Sequence, residues 1–156
     1  IDSVFHALKW FEVNKNIKFD HVVILQPTNP LRNTKEFCRM LNLYLDKNFK
    51  SLISVIKMKE HPYDCLEIKK NVWKYLKEPN KFKQNRQSYE KNFYFIDGSY
   101  YISNVKFLYK FNKIVVPNKT KIFLLDQKWP IDIDEIEDLK IAEYFIKKSP
   151  NNYKKL

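Results

Sequence analysis

"HVVILQPTNPLR", residues 21–32, decides the fold: the strand-forming run His21 to Leu25 stops at a glutamine, two prolines and an arginine. The run is short, β-branched and apolar on both sides, which suits a strand covered on both faces of a parallel sheet. It breaks at Gln26 because Pro27 and Pro30 have no N–H to give to a ladder. In open α/β sheets ligands bind in the crevice beyond the carboxyl ends of the strands. Gln26 would then offer its amide to that crevice while the prolines stiffen the turn. The same residues also suit a plainer role, with Gln26, Thr28 and Asn29 satisfying turn backbone groups.

Upstream, Val4, Leu8 and Phe11 recur at helical spacing behind Asp2 and Ser3, either of which could cap a helix over residues 3–14. Downstream, Thr34 is placed to cap a helix whose apolar stripe, Phe37, Met40, Leu41, Tyr44 and Leu45, runs to Asp46. "LISVI", residues 52–56, is a second buried strand. Helix, strand, helix, strand is the βαβ signature and predicts an α/β fold with a mostly parallel sheet. Residues 57–93 interrupt it with a polar stretch that includes a hairpin, "CLEI" and "VWKYL" about "KKN". Ordinary loops have a median of about 4–6 residues, so this excursion should cover a site or meet a partner. Strand residues resume around Asp97-Gly98, followed by helical "VKFLYKF", the strand "KIFLL" and "PIDID". A last helix, Ile136 to Lys147, should set Leu139, Ala142 and Ile146 against the core.

At 156 residues the chain suits one domain, residues 1–156, able to bury roughly 68–70% of its unfolded surface. Its net charge of +11 comes almost wholly from lysine, because Arg32, Arg39 and Arg86 are the only arginines. Scattered lysine reads as solvated surface, whereas a nucleic-acid footprint would cluster charge on one face and favour arginine; a basic module for single-stranded nucleic acid is the competing class. Cys38 and Cys65 form no framework and read as free thiols, Cys38 as small core filling. No run approaches the ~20 apolar residues of a membrane span and no signal peptide is legible, which predicts a cytoplasmic protein without membrane contact. The start at Ile1, directly before a helical pattern, looks like a piece of something longer.

The second chemistry-bearing stretch is "IDID". Residues two apart on a strand face one side, so Asp132 and Asp134 would project together, about 6.6 Å apart along the backbone. Paired carboxylates suit Mg²⁺, which takes oxygen ligands and keeps waters for a phosphate. Alternatively Asp134 caps the last helix with Glu137 as its capping-box partner. Gly98, the sole glycine, permits a close approach or a positive-φ turn beside Asp97. With one glycine there is no phosphate-cradling Gly-rich loop. His6, His21 and His61 show neither metal-ligand spacing nor a triad partner.

Taken together, "ILQPTNPLR" at 24–32, "HP" at 61–62, "RQ" at 86–87, "DGSYYI" at 97–102 and "DIDEIEDLKIAE" at 132–143 resemble the acylneuraminate cytidylyltransferases, the CMP-sialic acid synthetase family. The likeness runs through nearly the whole chain in the family's order, specific at its ends and loose in its middle. It implies a Rossmann-like three-layer α/β/α fold of the nucleotide-diphospho-sugar transferase type. The reaction it implies moves CMP from CTP to the anomeric hydroxyl of a nonulosonic acid and releases pyrophosphate. By the same resemblance Gln26, Thr28, Gln87, Asp97 and Gly98 bind substrate, Asp132 and Asp134 hold Mg²⁺, and Arg86 meets the acid's carboxylate across a homodimer. Residues 57–93 would then be the dimerisation or lid segment. Another base in place of cytosine is the nearest alternative.

The sequence also departs from the family pattern. The family's opening strand and its CTP-phosphate loop have no counterpart, so this stretch alone is expected to be inactive. Tyr63-Asp64 replaces a basic residue, a second arginine expected near the Asn-Gly has no clear counterpart, with Tyr94 or Lys91 nearby, and Asn-Gly has become Asp97-Gly98. These changes point toward legionaminic, pseudaminic or another nonulosonic acid rather than sialic acid itself.

Overall fold

The computed structural model describes residues 1–78, 93–126 and 131–148. In chain order the elements are α1 (Asp2–Lys15), β1 (His21–Ile24), α2 (Thr34–Asp46), β2 (Ser51–Lys57), a 3₁₀ turn (Pro62–Asp64), β3 (Leu66–Lys69), β4 (Val72–Tyr75), β5 (Tyr94–Phe95), β6 (Tyr101–Asn104), α3 (Val105–Phe111), β7 (Lys121–Leu124) and α4 (Ile136–Lys148). The chain divides into two compact units, Ile1–Val55 with Ile96–Leu156, and Ile56–Phe95.

In the first unit the strand order is β1, β6, β2, β7. β6 pairs antiparallel with both β1 and β2, and β2 pairs parallel with β7. The expectation of a mostly parallel sheet is therefore corrected: the fold is mixed α/β with mostly antiparallel pairing. The physical reason is an insertion. β1 and β2 do run in one direction, joined by α2, but β6 comes from late in the sequence and lies between them, opposed to both. Local periodicity reports a strand's existence, not which distant strand will sit beside it.

β2 is the central strand, and Ser51 to Ile56 are all buried, Ser51 and Ser54 along with the apolar residues, as a strand covered on both faces requires. β1 is different. It lies at the end of the described sheet with Val23 39% exposed, so its apolar character does not mean cover on both faces. α2 buries Met40 and Tyr44, while Leu45 at the edge of the stripe is exposed. Its cap is Asn33, whose side chain accepts from Lys35 N–H at 2.9 Å and Glu36 N–H at 3.4 Å, rather than Thr34. α1 has no side-chain cap and no buried residue. In α4 only Ala142 is buried; Leu139 and Ile146 are each 40% exposed. Cys38 is exposed, not core filling.

The second unit holds the expected hairpin. β3 and β4 pair with Leu66 opposite Tyr75 and Ile68 opposite Trp73, and Lys70 and Asn71 take positive φ in the turn, as a two-residue primed turn needs. Tyr94 and Phe95 pair with Lys57 and Ile56 at the end of β2. Around the 3₁₀ turn, His61, Tyr63 and Phe93 form a ring cluster, with Lys77 Nζ 4.7 Å from the Phe93 centroid.

Candidate functional site

The turn after β1 is tied to the segment before β6 by side chains that the sequence places on both. The Gln26 carbonyl accepts from Asn29 N–H at 3.1 Å and from the Arg32 guanidinium. Arg32 Nε also donates to the Ser99 carbonyl at 3.3 Å, and the Tyr100 hydroxyl donates to the Asn33 carbonyl at 3.1 Å. Asn29 Nδ2 donates to the Asp97 carbonyl at 2.9 Å, and Ser99 N–H donates to Asp97 Oδ2 at 3.2 Å. Gly98 sits in this corner at φ 79, and a Cβ there would collide with Gln26 Oε1. The sole glycine is therefore required twice, for its backbone angle and for the approach of Gln26.

A third segment joins the corner through its backbone: Ile133 N–H donates to the Thr28 carbonyl at 2.7 Å. Residues 131–134 are not paired as a strand, yet they alternate as an extended segment does. Ile131 and Ile133 pack with Leu31, Ala142 and Phe145, while Asp132 and Asp134 are exposed on the other side. Asp134 does not cap α4. Asp138 reaches back instead, its Oδ2 accepting Asp134 N–H at 3.2 Å and Glu135 N–H at 3.0 Å. Among the described residues the Asp132 and Asp134 carboxylates accept no hydrogen bond. No group of three or more His, Cys, Asp or Glu able to hold a metal occurs among the described residues.

Burial shapes the electrostatics. Asn29, Asp97 and Ser99 are at most 4% exposed, and among the described residues Asn29 Oδ1, Asp97 Oδ1 and Ser99 Oγ have no partner. A buried unsatisfied polar atom costs about 1–3 kcal/mol, which a purely structural corner avoids and a functional corner tolerates. Burial lowers the Arg32 guanidinium from its usual range. It pushes the Tyr100 phenol up to about 12. The Tyr101 phenol is raised by burial first, then by Asp97 and Asp132. Carboxylates from two sequence-distant segments thus act on one hydroxyl.

Gln26, Thr28, Asp97 and Gly98 are brought together, and the Thr28 to Ile133 bond ties the Asp132 and Asp134 segment to them. Arg86 and Gln87 lie outside the described residues. Asn29, Arg32, Ser99 and Tyr101 also belong to the corner, beyond the residues that the sequence marks as candidates. Arg32 carries a signal, as one of three arginines in a lysine-rich chain; Asn29 reads in the sequence only as a turn residue.

No family model matches the chain. A curated protein does. The chain is similar to the post-translational flagellin modification protein B of Campylobacter coli, 27% identical over 147 residues. The match takes in 94% of this chain and 59% of the relative, so the chain spans about three-fifths of that relative's length. Among the described residues, no helix is long and apolar enough to cross a membrane.

Proposed function

We propose that this chain belongs to a nonulosonate cytidylyltransferase, which transfers CMP from CTP to the anomeric hydroxyl of a nine-carbon α-keto sugar acid and releases pyrophosphate. The observation that carries the reading is the meeting of "QPTNPLR", "DGSYY" and "DID" at one corner, three stretches far apart in sequence. Similarity to a post-translational flagellin modification protein supports a role in protein modification; on this reading the group attached would be a glycan, for which a nucleotide-activated sugar acid is the donor.

In this reading Gln26 and the Asp97-Gly98 turn bind the sugar acid, with Gly98 keeping the backbone close. Arg32 fixes the Gln26 carbonyl and the Ser99 carbonyl, so the Gln26 amide is set by its own backbone. Asp132 and Asp134 would hold Mg²⁺, which supplies charge neutralisation on the phosphate oxygens; both carboxylates are exposed on one side and uncommitted, which fits that role. Arg86, with the bidentate fork that suits a carboxylate, would meet the acid from a second copy. The 57–93 excursion would form that homodimer through the exposed side of β3 and β4.

The test is pyrophosphate release by the full-length polypeptide, with CTP, Mg²⁺ and a panel of nonulosonic acids. Release that needs both CTP and one acid is expected, and Asp132→Asn should lower turnover by at least about a hundredfold with the circular dichroism spectrum unchanged. Turnover with GTP in place of CTP would move the reading to another nucleotidyltransferase. No release with any acid and either nucleotide would refute it.

A further inference from the structure

At the far end of β6 from Gly98, α3 and the loop leading into β7 border an open cleft of about 590 Å³. Lys50, Lys106, Lys110 and Lys119 are four of the seven residues that line it, together with Asn104, Phe107 and Phe111. No acidic side chain is among the lining residues. None of the four lysines forms an ion pair among the described residues, although Lys9, Lys18, Lys74, Lys140 and Lys147 elsewhere do.

The arrangement is ordered rather than scattered. Lys110 Nζ lies 5.5 Å and Lys119 Nζ 5.6 Å from the centroid of the same Phe111 ring. A ring face attracts a cation through its quadrupole, so one side chain holds two ammonium groups at the cleft. Phe111 is itself placed by Phe107, their centroids 4.7 Å apart, and Phe107 is 7% exposed. Lys50 is steadied by a 2.9 Å bond from Nζ to Asn48 Oδ1. Like charges gathered on an apolar floor repel each other, and a multiply charged anion removes that cost.

The chemistry of the cleft selects the anion. Lysine presents a compact point charge with three rotatable donors and no planar fork, which suits phosphate oxygens better than the bidentate grip on a carboxylate that arginine gives. Phe111 already carries two ammonium groups, which leaves little ring face for stacking a base. The volume falls within the range of small-ligand sites, about 300–1,000 Å³, and suits a compact ligand rather than an extended strand.

We propose that this cleft is a binding site for an oligophosphate, separate from the Gln26, Gly98 and Asp132 corner. The phosphate chain can be free or part of a nucleotide. Titration calorimetry on the full-length protein at low salt, with inorganic tripolyphosphate and with ATP as separate probes, decides it. Saturable binding of tripolyphosphate is expected, with affinity falling steeply as salt rises. Lys110→Glu with Lys119→Glu should weaken it at least tenfold, whereas Lys9→Glu with Lys140→Glu, an equal charge change elsewhere, should leave it within twofold. ATP tighter than tripolyphosphate would assign the phosphate to a nucleotide, and equal or weaker ATP would assign a free oligophosphate. No saturable binding, equal losses in the two double variants, or tighter binding of a single-stranded oligonucleotide of matched charge would overturn the proposal. Loss of cytidylyltransferase activity in an Asp132→Asn protein that still binds tripolyphosphate keeps the two sites distinguishable.

Discussion

The corner around Gly98 and the β3–β4 hairpin put their residues to opposite use. In the corner, polar side chains such as Asn29, Asp97 and Ser99 are buried and tied to backbone groups from a distant segment. In the hairpin, apolar side chains are exposed: Leu66 49%, Ile68 73%, Trp73 57% and Tyr75 37%. Direct pairing of Leu66 with Tyr75 and Ile68 with Trp73 puts these four on one face, with Glu67 and Lys74 on the other, 2.9 Å apart as an ion pair. A buried polar corner ties distant segments of the chain to one another. An exposed apolar face is organised for something that covers it, since isolated two-stranded hairpins are marginal in water.

The hairpin offers the largest effect. Ile68→Lys with Trp73→Lys replaces the two most exposed members of the face with charge. If a second copy covers that face, the dimer dissociation constant of the full-length protein should rise by at least about a hundredfold, since central aromatic anchors each contribute about 2 kcal/mol or more. Sedimentation velocity over a dilution series reads this. The folded monomer should lose less than about 0.5 kcal/mol, because surface changes away from packed features are nearly neutral. An unchanged sedimentation profile would break the comparison at this end.

Gly98→Ala strikes the corner. A left-handed backbone angle costs an L-residue roughly 1–2 kcal/mol, and the new methyl must also displace Gln26 Oε1. A stability loss of about 2 kcal/mol by urea denaturation is expected, together with a raised KM for the sugar acid. If stability falls but KM does not move, Gln26 is a wall of the fold and not of the pocket.

Much of this was legible in residues 21–32 and 66–76 because their signals are local. Pro27 and Pro30 bar any ladder just beyond the end of β1 at Ile24, and alternation around Lys70-Asn71 specifies a hairpin without help from the rest of the chain. The same locality explains the failures. The place of β6 between β1 and β2 depends on a partner some fifty to eighty residues away, so helix–strand alternation implied parallel neighbours that are not there. Asn33 took the cap from Thr34, and Asp138 took it from Asp134, because several residues near each helix start could serve and only three-dimensional placement chooses. Ser99 and Tyr101 lie within the "DGSYYI" stretch, yet neither differs by itself from an ordinary strand residue, so the sequence assigns no individual role to either.

The smallest effect is a slope. Tyr44 and Tyr100 are 1% and 2% exposed, and burial pushes both phenols up to about 12. In the unfolded chain each would ionise near the ordinary tyrosine value of about 10. The folded state therefore holds these protons more tightly, and the stabilisation is complete below about pH 10 and is lost as pH rises toward 12. Urea midpoints measured across that window should fall with pH in the wild type and fall less steeply in Tyr100→Phe. If Tyr100→Phe keeps the full slope, the alkaline loss does not arise at the corner, and the contrast between a closed polar corner and an open apolar face must rest on Gly98 and the hairpin alone.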